Sequence, residues 1–352
     1  MKFTDNFFFY AAGAMAVLTI LAAKLGAPAI AVFVIAAIAL LPLARLVGES
    51  TEELSAHTNA AMGGFLNVAF GNAPELIIGL FALHAGLLTL VRASIAGAIM
   101  SNLLLVLGSA LLVGGMRHKR QTFNKTAALA GSTTLMLAVV ALIMPAVFSH
   151  TSLGITAGTL NNINDLVAVF LLLVYVSYLW FMLRTHTHLY TEEGSAYLPR
   201  WSKMKSVLVL CGATLVMMGV SDVLVQALQP TLASLGWTQL FVGVVIVAIV
   251  GNAAEYASAL MMARRNKMDL ALQIATGSAT QITMFVAPVL VIASLLFGQH
   301  LSLIFNTFEL VAIVASVIIT LIVVQDGESN WLEGLQLLVA YAVMVMTFFF
   351  YR

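Results

Sequence analysis

Charge is what this sequence lacks most: Asp, Glu, Lys and Arg together make up 9% of its 352 residues, against about a quarter in a soluble domain. A chain so poor in charge and 61% hydrophobic has no polar coat for a water-facing globule, so the bilayer is expected to be its solvent. Cysteine is nearly missing too. The lone Cys211 excludes an internal disulfide and a paired-thiol metal site, and it reads as a small buried apolar residue. The formal net charge of +1 gives no footprint for a nucleic acid. The apolar runs hold no Ser/His, Asp/Asp or His-Glu-x-x-His constellation, so the chain is expected not to be an enzyme and to need no cofactor.

What is present is apolar length. A hydrocarbon core about 30 Å thick takes roughly 20 helical residues to cross, and eleven runs fit. The first six are Phe7–Ala23, Pro28–Val47, Ala56–Leu83, Ala93–Gly115, Lys125–Phe148 and Asn162–Leu183. Five more follow: Lys205–Ala227, Leu240–Ala263, Leu270–Phe297, Ser302–Val324 and Trp331–Tyr351. They are too long and too evenly apolar for barrel strands, so the fold class is an all-α polytopic membrane protein of about eleven transmembrane helices. The first run follows Lys2 and ends in small residues like a signal peptide, but the many later spans favour a retained helix.

Loop parity sets the orientation. Thirteen of the sixteen Lys and Arg fall on one side, including the run Arg117-His118-Lys119-Arg120, and only Lys24, Arg92 and Arg352 on the other. Positive loops stay inside, which puts the amino terminus in the cytoplasm and the carboxyl terminus outside. The polar stretch from Arg184 to Lys203 holds His186, His188, Glu192 and Glu193; with no further ligands fixed nearby it reads as a solvated hinge.

The two sides of that hinge repeat. Gly71-Asn72-Ala73-Pro74-Glu75 matches Gly251-Asn252-Ala253-Ala254-Glu255, with the glutamates 180 positions apart (255 − 75). The expected organisation is an N-terminal transmembrane helix (1–25), a first five-helix repeat (28–183), a cytoplasmic hinge (184–204) and a second repeat (205–352). An odd helix number per repeat inverts the second copy, and inverted repeats place a substrate site at the bilayer midplane between paired interrupted helices.

Glu75 and Glu255 lie mid-span, where an ionised side chain costs a few kcal/mol at least, so each needs a compensating partner. Pro74 cannot donate a helix hydrogen bond, and carbonyls freed at Gly71 and Gly251 must face the bundle interior. Two carboxylates, these carbonyls and Asn72, Asn252 or water supply the six to eight oxygens that calcium takes, with no Cys or His for a softer metal. About one helix later come Gly97, Ser101 and Asn102 in the first half and Gly277, Ser278, Thr280 and Gln281 in the second; Asn102 and Gln281 are the stronger cavity candidates, and Ser101, Ser278, Thr280 and, further along the chain, Glu309 are secondary ones. Glu52 and Glu53 read as a solvated helix end, and Asp165, Asp222 and Glu309 as an entry path or interfacial acids.

The segments GNAPELIIGLFAL, SNLLLVLG, GNAAEYASAL and GSATQITMFVAP resemble the paired repeats of the calcium/proton exchanger family within the calcium/cation antiporter superfamily, and the likeness covers nearly the whole chain. It includes LARLVGESTEELSAH (43–57) and the stretch 242–250. The resemblance implies that Glu75 and Glu255 are the central cation ligands and proton acceptors, with Asn102 and Gln281 lining the same cavity. It implies Ca2+ and H+ as transported ligands. The short loops and the lack of a long amino-terminal extension point to a prokaryotic plasma membrane, with a vacuolar membrane as the eukaryotic counterpart; the lipid bilayer is the expected partner, with a homo-oligomer left open. Neutral amides where sodium/calcium exchangers carry extra acidic or hydroxyl groups favour protons over sodium. That exchanger is the nearest rival reading, and a passive cation channel the next.

Overall fold

The computed structural model describes residues 2–58, 60–151, 156–186 and 199–351. His188, Glu192, Glu193 and Arg352 lie outside the described residues.

The chain forms α1 (Lys2–Lys24) and α2 (Ala29–Ser55), then a broken pair, α3 (Ala60–Gly71) and α4 (Ala73–His84). Next come α5 (Leu88–Gly115), α6 (Lys125–Thr151), α7 (Ala157–Thr185) and α8 (Lys203–Leu235). A second broken pair follows, α9 (Gln239–Gly251) and α10 (Ala253–Arg264), and then α11 (Met268–Leu296), α12 (Thr307–Val324) and α13 (Trp331–Phe350). Among the described residues nine helices are long and apolar enough to cross a membrane, and each bent pair makes one further span, giving the eleven expected. Their outward faces carry large apolar side chains, among them Phe170, Val176, Leu208, Val311 and Ile322, as a lipid-facing surface requires.

Three of the differences from the sequence reading have a polar reason. α2 continues past Val47 to Ser55, and only part of its acidic end is solvated: Glu52 is exposed, but Glu53 is buried and accepts from the backbone N–H of Arg200 (2.7 Å) and Trp201 (3.0 Å) and from Arg200 Nε (2.9 Å). The span expected from Ser302 starts as an extended strap and becomes helical only at Thr307, where Asn306 and Glu309 form a reciprocal capping box. Asn164 of α7 satisfies the strap, donating to Leu301 O (2.9 Å) and accepting from Leu303 N–H (2.7 Å), which is how non-helical backbone survives at membrane depth. The third difference is a two-residue antiparallel ladder, β1 (Gln121–Thr122) on β2 (Glu328–Ser329), which ties the α5–α6 and α12–α13 loops together.

The core runs through the middle of the bundle: α2 packs along α8 and against α1, and α5 along α9. The face carrying β1, β2 and the Lys125 and Lys203 helix starts is called the basic face below.

Candidate cation site

Both GN motifs break their spans. The axis bends by 47° between α3 and α4 and by 57° between α9 and α10. Asn72 (φ −112°, ψ 35°) and Asn252 (φ −84°, ψ 17°) leave helical geometry, and neither side chain caps the helix that follows. Both side chains turn into the bundle instead. Asn72 Nδ2 donates to Gln281 Oε1, and Asn72 Oδ1 accepts from Ser278 Oγ (3.1 Å). Asn102 Nδ2 donates to Asn252 Oδ1 and to Ser278 Oγ (3.0 Å). Each break is thus tied to a long helix of the other half, Asn72 to α11 and Asn252 to α5.

The glutamates sit three residues beyond each break, in the first turns of α4 and α10. Among the described residues neither carboxyl oxygen of Glu75 has a hydrogen-bond partner, nor has Oε2 of Glu255, and all three are buried. Buried polar atoms are almost always satisfied, so three buried carboxyl oxygens without a partner set this pair apart from the other polar groups of the bundle. Among the described residues no cluster of three or more His, Cys, Asp or Glu gathers around one point; two carboxylates among neutral oxygens are the chemistry of a hard, oxygen-seeking ion.

Gly251 contributes by its missing side chain: a Cβ there would stand 2.9 Å from Glu75 Oε1 and 3.0 Å from its Cδ, so the carboxyl of the first half rests on the break of the second. At Gly71 the corresponding space holds Gln281 Oε1 (3.4 Å) and Asn67 Oδ1 (3.5 Å). Of the secondary candidates, Ser278 is at the centre of the amide network. Ser101 lies outside it, 3.2 Å from the Tyr256 hydroxyl. Thr280 turns back to its own helix, donating to Thr276 O (2.8 Å). Glu309 is at the far end of α12, in its capping box and 3.9 Å from Arg92 Nε.

Sequence reasoning missed three features here. Asn67, four residues before Gly71 and hence on the same helix face, is exposed and stands beside the break, its Oδ1 3.5 Å from where a Cβ of Gly71 would lie. Tyr256 follows Glu255 directly and reaches Ser101. The long helices also widen to π geometry beside the site, at Ser101–Val106 and Ile282–Val286. No residue type announces such bulges, which are frequent at functional sites.

The two breaks differ in their surroundings. Gly97 of α5 lies directly on the Val244 backbone of α9, and Gly243 on Ala93 and Leu90 O, leaving no room for a Cβ at either. Position 277 is the match of Gly97 at the 180-residue spacing, yet a Cβ at Gly277 meets nothing within 4 Å. Gly64, the match of Val244, faces Leu183 of α7 instead of α11. α9 is zipped to α5, while α3 stands off α11.

Two broken helices meeting at buried, unpartnered carboxylates define an integral membrane ion transporter. The chain belongs to the family described as sodium/calcium exchanger protein, whose model matches residues 28–184 and 205–350. It is 42% identical over 351 residues to the Ca(2+)/H(+) antiporter ChaA of Bacillus subtilis (strain 168), covering 98% of this chain and 99% of that one. It is 39% identical to the vacuolar calcium ion transporter of Schizosaccharomyces pombe, over 91% of this chain and 79% of that one. The solved structure of native YfkE superposes with a TM-score of 0.86 at 40% identity, covering 98% of this chain and all of the other. The H+/Ca2+ exchanger CAX, at 14% identity and a TM-score of 0.74, shares the fold.

Proposed function

We infer that this chain is a secondary antiporter that moves Ca2+ in exchange for H+, with Glu75 and Glu255 holding the cation and the protons in turn. The observation that carries this reading is the pair of buried carboxyls with unpartnered oxygens, one from each matched motif, in a chain 42% identical to a Ca(2+)/H(+) antiporter. With the cation between them both carboxylates are ionised and paired. When it leaves, two like charges share a water-poor space, and proton uptake relieves the repulsion. Two protons replace one divalent ion at constant site charge, so the rearrangement carries no uncompensated charge through the bilayer.

The division into inverted repeats, 28–183 and 205–352, is supported by the same order of parts in each: a long helix, a broken pair, a long helix with a π-widened middle, and two more helices. The excess of Lys and Arg on the basic face supports a cytoplasmic assignment for it, with the amino terminus inside and the carboxyl terminus outside. α3 lies on that face, so the unzipped gap opens toward the cytoplasm. The bacterial relative supports a plasma-membrane location.

The test is calcium uptake into sodium-free proteoliposomes under an imposed pH gradient. The natural protein should accumulate calcium, and Glu75→Gln and Glu255→Gln should each fall below about a hundredth of its rate, since each removes a charge that the ion requires. The family's description as a sodium/calcium exchanger favours the second reading; uptake that appears only with a sodium gradient would establish it and sink proton exchange.

A further inference from the structure

Ser278 stands where the two breaks come closest to a common partner. Its buried hydroxyl oxygen accepts from Asn102 Nδ2 at 3.0 Å, is 3.1 Å from Asn72 Oδ1 and 3.5 Å from Asn252 Oδ1. A serine hydroxyl has one proton, so it serves one asparagine carbonyl at a time. The two carbonyls differ in need. Asn252 Oδ1 already receives Asn102 Nδ2, whereas Ser278 is the donor that the described structure supplies to Asn72 Oδ1. The position that matches Ser278 at the 180-residue spacing is Ala98, so the first half has no equivalent hydroxyl and the device exists once.

We propose that Ser278 is a positioning residue that holds the first break in its unzipped arrangement by satisfying Asn72, and so sets the balance between the two states of the transporter. Without the hydroxyl, Asn72 Oδ1 is a buried acceptor with no donor in the present state, and Asn252 keeps its bond to Asn102. The loss therefore falls on one state. The arrangement with α3 drawn onto α11 becomes favoured by about two- to tenfold, the worth of one buried hydrogen bond. Fewer molecules then offer the site to the basic face, and the apparent affinity for cation arriving from that side falls in proportion. Ser278 acts here through Asn72 and not as a cation ligand. The proposal rests on the reading that the two gaps exchange roles during transport.

The test uses the full chain with Cys211→Ser, spin-labelled at Phe65→Cys on α3 and Arg265→Cys beside α11, both exposed positions. The distance distribution between the labels reports the two arrangements directly, with no transport needed. In Ser278→Ala the short-distance population should grow about two- to tenfold relative to the long one. Half-saturating calcium for uptake from the basic face should rise with it, and Ser278→Thr, which keeps the hydroxyl, should restore both. An unchanged distribution and half-saturation in Ser278→Ala overturns the proposal. So does a threonine variant that behaves like alanine, or a half-saturation that rises without any change in distance, which would make Ser278 a ligand. Two distances in a natural protein that takes up no calcium under a pH gradient would instead defeat proton exchange and leave the latch standing.

Discussion

The gap between α5 and α9 is closed so tightly that Gly97 touches the Val244 backbone, while the matching gap between α11 and α3 leaves free space beside Gly277. Yet the sequence equips both gaps alike. Gly97 answers to Gly277 and Gly243 to Gly63 at the same 180-residue spacing, so both sides carry the small residues that let two helix backbones approach. A glycine in open space has no packing role in the conformation at hand. Its role lies in the other one, where α3 closes on α11, and the unused glycine of one gap is evidence for the state its partner already displays.

Filling each gap in turn should make the transporter fail in two different ways. The largest effect is expected from Gly97→Leu, whose side chain collides with main chain and so cannot be absorbed by a rotamer change. The closed gap should be forced apart, with net exchange in proteoliposomes falling at least about a hundredfold and a thiol introduced beside Val244 becoming reactive. Gly277→Leu should be milder in the present state, because the new side chain enters open space. Calcium binding to the detergent-solubilised protein should stay within about twofold of natural, while turnover drops at least about tenfold because the second gap cannot close. Equal loss of binding in both variants would mean that the gaps do not alternate.

A smaller effect tests what stays fixed while the gaps change. α2 and α8 pack along each other, and buried Glu53 ties the end of α2 to the start of α8 through Arg200 and Trp201, with the His57 ring 2.7 Å from Trp201 O. Glu53→Ala should leave two backbone N–H groups without their acceptor at a cost of about 1–3 kcal/mol. The melting temperature should fall by several degrees, with the ratio of binding to turnover unchanged. If turnover fell alone, the α2–α8 pair would have to be counted among the moving parts.

Much of this was legible in the sequence. Eleven apolar runs and two GN motifs mark the spans and their breaks because a bilayer tolerates interrupted helix only where it lines a protein interior. Glu75 and Glu255 stand out because an acid at mid-span is costly without a purpose. What was not legible depends on contacts between distant segments. Nothing in the run Ser302–Phe305 says that Asn164 will satisfy it as an extended strap, and Glu309 reads as a cavity acid until Asn306 is seen capped by it. Glu53 looks solvated until Arg200, 147 residues on, closes over it. Asn72, Asn102, Asn252 and Gln281 each stand out as amides in apolar runs, but the pairing of Asn72 with Gln281 and of Asn102 with Asn252 across the halves is a product of the fold.

The smallest expected effect separates an anchor from an ornament on the basic face. Arg120 and Glu328 form an ion pair beside the β1–β2 ladder, with the Arg120 side chain 74% and the Glu328 side chain 42% exposed. Water screens both charges, and holding two long side chains in one geometry has an entropic cost, so exposed pairs of this kind contribute about 0–1 kcal/mol. The ladder has other support: Asn124 N–H donates to Asp269 Oδ1, and Gln121 Nε2 reaches Leu111 O at 3.0 Å from a buried position. Arg120→Ala should therefore leave exchange within about twofold and the melting temperature within a degree or two, where Glu53→Ala does not. A large loss of turnover in Arg120→Ala would place the α5–α6 loop in the path by which one gap signals its closure to the other.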